Sequence, residues 1–360
     1  MHPAYPPPPS PGADVPALPT TPGTNLPTVH RADTDVTPSP LEPTLFELKK
    51  LIVGQDRLLE RLLVALLVGG HVIIEGVPGL AKTMTVRAIA EVVSGTFGRI
   101  QFTPDLVPAD LIGTRVYHPA RAEFSVELGP VFVNLLLADE INRAPAKVQS
   151  ALLEVMQEHQ VTIGGQTFPV PDPFLVLATQ NPIEAEGTYP LPEAQLDRFL
   201  FKVLVDYPSF HEELTVIQRV TGPPIALQPV LTLDDLQAMR TAASQVYVDP
   251  PVAAYAATLV AATRLPATYG LGDLAPGISF GASPRASINL VLGARALAFI
   301  RGRTYALPQD VADIAPEVLR HRLVLSYDGI ATGLTTEIVV GRVLERYPPP
   351  WISLGDRRAS

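Results

Sequence analysis

Residues 71–93 read HVIIEGVPGLAKTMTVRAIAEVV, and the fold follows from how this stretch is parsed. Val72 to Glu75 is a short, apolar, β-branched run, the pattern of a buried parallel strand. Gly76 to Thr83 is a loop punctuated by Gly and Pro that ends in Lys-Thr. From Met84 to Val93 the apolar residues Val86, Ile89, Ala90 and Val93 fall at helical spacing, and Gly95 predicts the stop. A strand turning sharply into a helix points several backbone N–H groups into one concavity, beside the positive end of the helix dipole. Such a concavity suits polyphosphate. The loop Gly76, Val77, Pro78, Gly79, Leu80, Ala81, Lys82, Thr83 is therefore read as a phosphate-binding loop. Gly79 lets the backbone approach closely, Lys82 reaches the β- and γ-phosphates, and the Thr83 hydroxyl is placed to ligate Mg²⁺. Ala81 stands where the usual spacing has a second glycine.

Such a loop needs acidic partners elsewhere. Leu135 to Glu140 reads LLLADE, a buried strand that delivers two carboxylates at its C-terminal end. In a parallel sheet that edge is the one carrying the phosphate loop. Asp139 is assigned to Mg²⁺, through water, and Glu140 to orienting and polarising the attacking water. Residues 177–182, LATQNP, bring a further strand to the same edge, where Asn181 is placed to bond the lytic water or the γ-phosphate.

Composition sets the outer bounds. The chain has 360 residues, enough for two domains, and a hydrophobic content of 47%. Net charge is −9 with no Lys/Arg cluster, which disfavours nucleic acid as a partner. There is no cysteine, and the seven histidines do not fall in metal-ligand spacing. Residues 1–42 are rich in Pro, Thr and Ala and read as a disordered or polyproline-II tail. The longest apolar run, Leu62 to Val68, is too short to span a bilayer and no secretory signal is visible, so a soluble, cytoplasmic protein is expected.

Beyond the loop, apolar strands are predicted near 98–103, 131–139, 174–179 and 200–205, alternating with helices at 56–68, 84–93 and 146–160. That alternation predicts an α/β fold, a parallel sheet with helices on both faces. Hairpins are expected at 115–128 and 161–170. After Pro208 the character changes to helices opened by Ser209-x-x-Glu212, Thr232-x-x-Asp235 and Ser283-Pro284, with helical stretches at 309–314 and 316–321. The expected organisation is a tail (1–42), a nucleotide-binding α/β domain (43–206), a helical domain (207–348) and a short C-terminal tail (349–360).

Four segments together resemble one family. GVPGLAKT (76–83), LLLADEINRAPAKVQSALLEVMQE (135–158), LATQNPIEAEGTYPLPEAQLDRF (177–199) and GASPRA (281–286) are similar to the MoxR-type AAA+ ATPases, a resemblance that runs from about Leu45 to Tyr347. Ala81 is usual in that family. The resemblance implies a P-loop AAA+ sheet followed by a small all-α lid, and a homo-oligomeric, hexameric ring with Mg-ATP between subunits. It carries Lys82 and Thr83 over as Walker A, Asp139 and Glu140 as Walker B, and Asn181 as sensor 1. Arg198, in Leu-Asp-Arg-Phe, corresponds to the arginine finger that reaches a neighbour's ATP, and Arg285 to sensor 2 on the lid. Gly54 and Gln55 fall where such proteins hold the base. A guanidinium fork suits the charge that spreads over the γ-phosphoryl oxygens. An ion pair with the preceding Asp197 is the plainer explanation of Arg198, and Arg143 lies near the acids without an assigned role. The implied activity is ATP hydrolysis by a chaperone-like remodeller, and the implied clients are proteins with von Willebrand factor A domains. The alternatives are a nucleotide-dependent binding switch with little turnover, and a motor or chelatase subunit.

Overall fold

The computed structural model describes residues 38–76, 82–120, 122–180 and 188–350. Val77, Pro78, Gly79, Leu80, Ala81 and Asn181, and nearly all of the Pro-rich tail, lie outside these residues. The chain opens with α1 (Glu42–Leu51) and α2 (Asp56–Val68), which lead into β1 (Val72–Glu75) and α3 (Lys82–Val92). There follow β2 (Phe97–Gln101), α4 (Pro108–Ile112), the hairpin β3 (Gly113–His118) and β4 (Glu123–Leu128), then β5 (Leu135–Asp139) and α5 (Ala146–Glu158). A second hairpin, β6 (Gln160–Ile163) and β7 (Gln166–Pro169), precedes β8 (Leu175–Gln180), the short α6 (Glu193–Leu196) and β9 (Phe201–Leu204).

Strands β1, β2, β5, β8 and β9 form one sheet in the order β2-β5-β8-β1-β9, and every pairing is parallel. The apolar runs fit this arrangement because both faces are covered. Leu135 and Leu137 of β5 belong to one buried core, with Leu59, Val86 and Ile89, whereas Leu136 and Ala138 belong to another, with Leu152, Val176 and Phe174. Alternate residues thus feed two cores, and no position in the strand can be polar without a partner until the C-terminal edge.

The second half is helical as expected: α7 (Phe210–Thr221), α8 (Leu233–Ser244), α9 (Pro250–Arg264), α10 (Pro284–Ile300), α11 (Pro308–Leu319), α12 (Tyr327–Ala331) and α13 (Thr336–Arg346). It also contains a two-stranded antiparallel ribbon, β10 (Ile278–Phe280) with β11 (Val324–Leu325), which the sequence pattern did not reveal. The capping boxes at Ser209 and Thr232 form as read, and the Ser283 hydroxyl accepts the Arg285 N–H. Among the described residues no helix is long and apolar enough to cross a membrane.

Three local expectations are corrected. The stretches read as helical at 309–314 and 316–321 are joined, because α11 runs straight through Pro316 and ends at Leu319. Its buried face (Val311, Ile314, Ala315, Val318, Leu319) outweighs one lost hydrogen bond. At the end of α3 the left-handed residue is Ser94 (φ 54°), not Gly95, whose N–H closes back on the carbonyl of Ala90 at 2.8 Å. Order also starts before the expected boundary at 43: α1 begins at Glu42, and Leu41 is only 1% exposed.

Candidate nucleotide site

The C-terminal edge of the sheet collects the polar residues. β1 ends at Glu75 in register with Gln180 of β8, and β5 ends at Asp139 in register with Gln101 of β2. Gly76 turns the chain away from β1. A Cβ there would sit 2.5 Å from the carbonyl oxygen of Val205, so no side chain fits. α3 then starts at Lys82, whose Nζ donates to the carbonyl of Gly76 at 2.5 Å, bringing the ammonium back to the end of β1. Partial burial pulls the Lys82 ammonium down from its ordinary range, and Asp139, Glu140 and Glu75 push the other way. A half-desolvated cation is well suited to take up a polyanion. Thr83 follows in the first turn of α3.

The two acids are held by different partners. The Thr179 hydroxyl donates to one Asp139 carboxylate oxygen at 2.6 Å and accepts the Glu140 N–H at 2.8 Å. Arg99 Nη2 donates to the other Asp139 oxygen at 2.7 Å. Glu140 has a left-handed backbone (φ 57°, ψ 50°), a strained conformation for a residue with a side chain. It turns the carboxylate away from the strand axis, where Oε2 accepts from Gln101 Nε2 at 2.9 Å and faces Arg143 Nη1 at 3.3 Å. Arg143, unassigned from sequence, is thus an ion partner of Glu140. The segment after the acids is fixed from below by Gln149 of α5, which is fully buried and donates to the carbonyls of Ile141, Ala144 and Tyr189.

Gly54 and Gln55 line an apolar cavity of about 290 Å³ between the α1–α2 turn and α7. Gly54 has φ 69°, and a Cβ there would collide with the Glu212 side chain. The opposite wall is Val216, Arg219, Val220 and Ile225, with Met84 of α3 beside it. None of these was singled out from sequence. The apolar face of α7 would have signalled them, but nothing in sequence says that it meets Gly54.

The two arginines of the resemblance occupy other places. Arg285 stands at the second position of α10, half-exposed, 3.8 Å from Asp197. Arg198 donates to the carbonyl of Leu153 at 3.0 Å and opens on a separate cleft of about 760 Å³ with Ser150, Glu154 and Gln195. Lys82, Asp139 and Glu140 do not line that cleft. The simple ion pair between Arg198 and Asp197 is not formed, because Asp197 pairs with Arg322 at 2.7 Å. Arg198 therefore opens on a cleft apart from Lys82, Asp139 and Glu140 of its own chain.

The residues present fit a magnesium-bound nucleotide. Thr83 and Asp139 offer hard oxygen donors at one edge, and among the described residues no cluster of three His, Cys, Asp or Glu makes a self-sufficient metal cage. A cation that keeps several waters and shares phosphate oxygens needs only such a partial set.

Known proteins agree with this architecture. Residues 71–201 match the ATPase family associated with various cellular activities (AAA), and residues 273–340 match the AAA lid domain. The chain is 57% identical over 313 residues to Chaperone MoxR1 of Mycobacterium tuberculosis, covering 87% of this chain and 83% of that one. It is 33% identical to Protein MoxR of Methylorubrum extorquens over 78% of this chain and 86% of the other. A crystal structure from Cytophaga hutchinsonii superposes with a TM-score of 0.82 at 47% identity, covering 86% of this chain and 95% of that one. With a parallel P-loop sheet, a helical lid and relatives matched over most of their length, this chain belongs to the MoxR family of AAA+ ATPases.

Proposed function

We propose that the chain binds Mg-ATP between subunits of a homo-oligomeric ring, six-membered as in the family resemblance, and hydrolyses it to ADP and phosphate. The observation that carries this is the convergence of Lys82, Asp139, Thr179 and Glu140 on one edge of the parallel sheet. The base rests between Gly54, Gln55 and the α7 wall. Backbone amides of residues 76–83, with Lys82, receive the phosphates. Thr83 and Asp139 hold the metal, which when bound neutralises charge on the β- and γ-oxygens. Glu140 orients the attacking water and takes its proton, and Asn181 fixes the same water. Arg198 of one subunit stabilises the charge developing on the neighbour's γ-phosphoryl group, and Arg285 closes the lid on its own nucleotide. We place the nucleotide domain from about residue 41, slightly before the expected 43, to 206 and the lid at 207–348, with tails at 1–40 and 349–360.

The M. tuberculosis relative is named a chaperone. We extend that role to this chain as a remodeller that assembles or activates protein partners in the cytoplasm, von Willebrand factor A domain proteins among them. Lys82→Ala is expected to abolish binding of a fluorescent ATP analogue, and unchanged affinity would remove the site. Glu140→Gln is expected to bind ATP but release phosphate at least about tenfold more slowly. Capture of partners on the ATP-loaded Glu140→Gln protein then tests the remodelling role, and a capture independent of ATP contradicts it. A second reading, a binding switch with little turnover, draws on one observation: the Glu140 carboxylate is already engaged by Gln101 and Arg143. Wild-type turnover no faster than that of Glu140→Gln would favour it.

A further inference from the structure

The Asp197 carboxylate is a meeting point of the lid and the nucleotide domain. Ser283 Oγ, the cap of α10, donates to both of its oxygens at 3.0 Å. Arg322 Nε, from the turn after α11, donates to Oδ1 at 2.7 Å, and Arg285 lies 3.8 Å from Oδ2. The guanidinium of Arg322 does more than pair. Its Nη2 donates to the carbonyls of Asp197 at 3.0 Å and Phe199 at 2.5 Å, the residues on either side of Arg198. One buried cation thus grips the backbone before and after Arg198, while the carboxylate that holds it in place is capped by the first turn of α10.

We propose that Asp197, with Arg322 and Ser283, is a set of positioning residues that ties Arg198, offered to a neighbour, to the lid helix that carries Arg285 over the chain's own nucleotide. This rests on the reading of Arg198 as acting in trans. The physical argument is one of shared partners. The Arg322 side chain is 1% exposed, and burial pulls it down to about 10, with Asp197 holding it charged. A guanidinium so buried cannot lose its carboxylate without moving, and it cannot move without releasing the Phe199 carbonyl. Movement of α10 as Arg285 meets a phosphate acts on the same carboxylate through Ser283. The state of a subunit's own site is thereby felt at the arginine it presents next door. Such coupling requires one element with two arrangements that both sites bias, and Asp197 is where the two sets of contacts coincide.

The test separates donor from acceptor. Glu140→Gln subunits, which keep Arg198, are mixed with Arg198→Ala subunits, which keep Glu140. Recovered turnover arises at sites where the second kind holds ATP against the first. Asp197→Asn or Ser283→Ala is then added to the Glu140→Gln subunit only, with co-assembly checked by tag pull-down. The expected result for each is a recovered kcat at least about fivefold lower with KM for ATP within about twofold. A merely structural defect would lower co-assembly instead of kcat at a site on another subunit. Recovery within about twofold of the control for both variants overturns the proposal. Loss with Asp197→Asn but not with Ser283→Ala overturns the link to the lid. Should Asp197→Asn not fold, the Ser283→Ala mixture decides on the same criterion. No recovery in the control mixture brings down the trans reading of Arg198 itself, a separate result.

Discussion

Glu140 combines a left-handed backbone with a carboxylate tied to Gln101 and Arg143. A base that is to receive a proton from water works best when it is not spent on other donors. Gln101→Ala is therefore expected to raise basal phosphate release severalfold, and a fall would show that Gln101 helps to aim the carboxylate. The two acids were legible in sequence because a buried strand ending in Asp-Glu has one sensible use beside a phosphate loop. Their partners were not. Arg99, Gln101 and Thr179 come from other strands, and only the register of the finished sheet brings them to Asp139 and Glu140. His71 offers a prediction at the same scale. It is buried and neutral, accepting the Val176 N–H and bonded to the Met156 carbonyl, and burial pushes its pKa down from 6.5 to about 4. As the pH falls through 6.5 the unfolded chain takes up a proton that the folded chain refuses, so stability present above that pH is lost down to about 4. The loss is about 3 kcal/mol at its fullest. His321 is shifted the same way by burial. Denaturant midpoints of His71→Gln should fall less steeply than those of the wild type over this range, and identical slopes would contradict the assignment.

Among the secondary-structure elements, those with local signatures were read nearly to the residue. α2 spans Asp56–Val68 as its apolar pattern predicts, and the caps at Ser209, Thr232 and Ser283 mark true starts. α11 was read in two pieces because proline is a local signal and its answer is tertiary. Pro316 has no N–H for the carbonyl four residues earlier, and only burial of the neighbouring turns keeps the helix whole. Pro316→Ala restores that bond and should raise unfolding free energy by about 1 kcal/mol in chemical denaturation. A loss of stability would mean that the ring itself packs better than the bond. The β10–β11 ribbon was invisible for a different reason: three residues pair with two across a long sequence gap, with no alternation long enough to register.

For the molecule as a whole, the α/β class and the helical second half were legible, but the seam between them was not. Besides a shared apolar core, α2 meets the lid through its arginines: Arg61 donates to the Asp313 carbonyl at 2.7 Å, and Arg57 pairs with the buried Glu317. Nothing local in sequence announces such pairs. The seam also reaches the N-terminus. Removing residues 1–36 should leave the melting temperature unchanged, whereas removing 1–41 also takes away Leu41, 1% exposed in the core. The longer deletion should cost about 2–4 kcal/mol, and equal melting of the two truncations would contradict that.

Synthesis order gives the outermost strand a particular history. Among the described residues β9 has a strand neighbour on one side only, and Arg320 donates to the Lys202 carbonyl within it from 118 residues further along the chain. A ribosome adding about 5–20 residues per second needs roughly 6–24 seconds to make that interval. For that time the emerging sheet carries an unguarded margin, the kind of surface on which nascent chains stick to one another. The segment that carries Arg320 reaches this margin only when it is made, so crowded, rapid expression should aggregate chains truncated before Arg320 far more than the full-length protein.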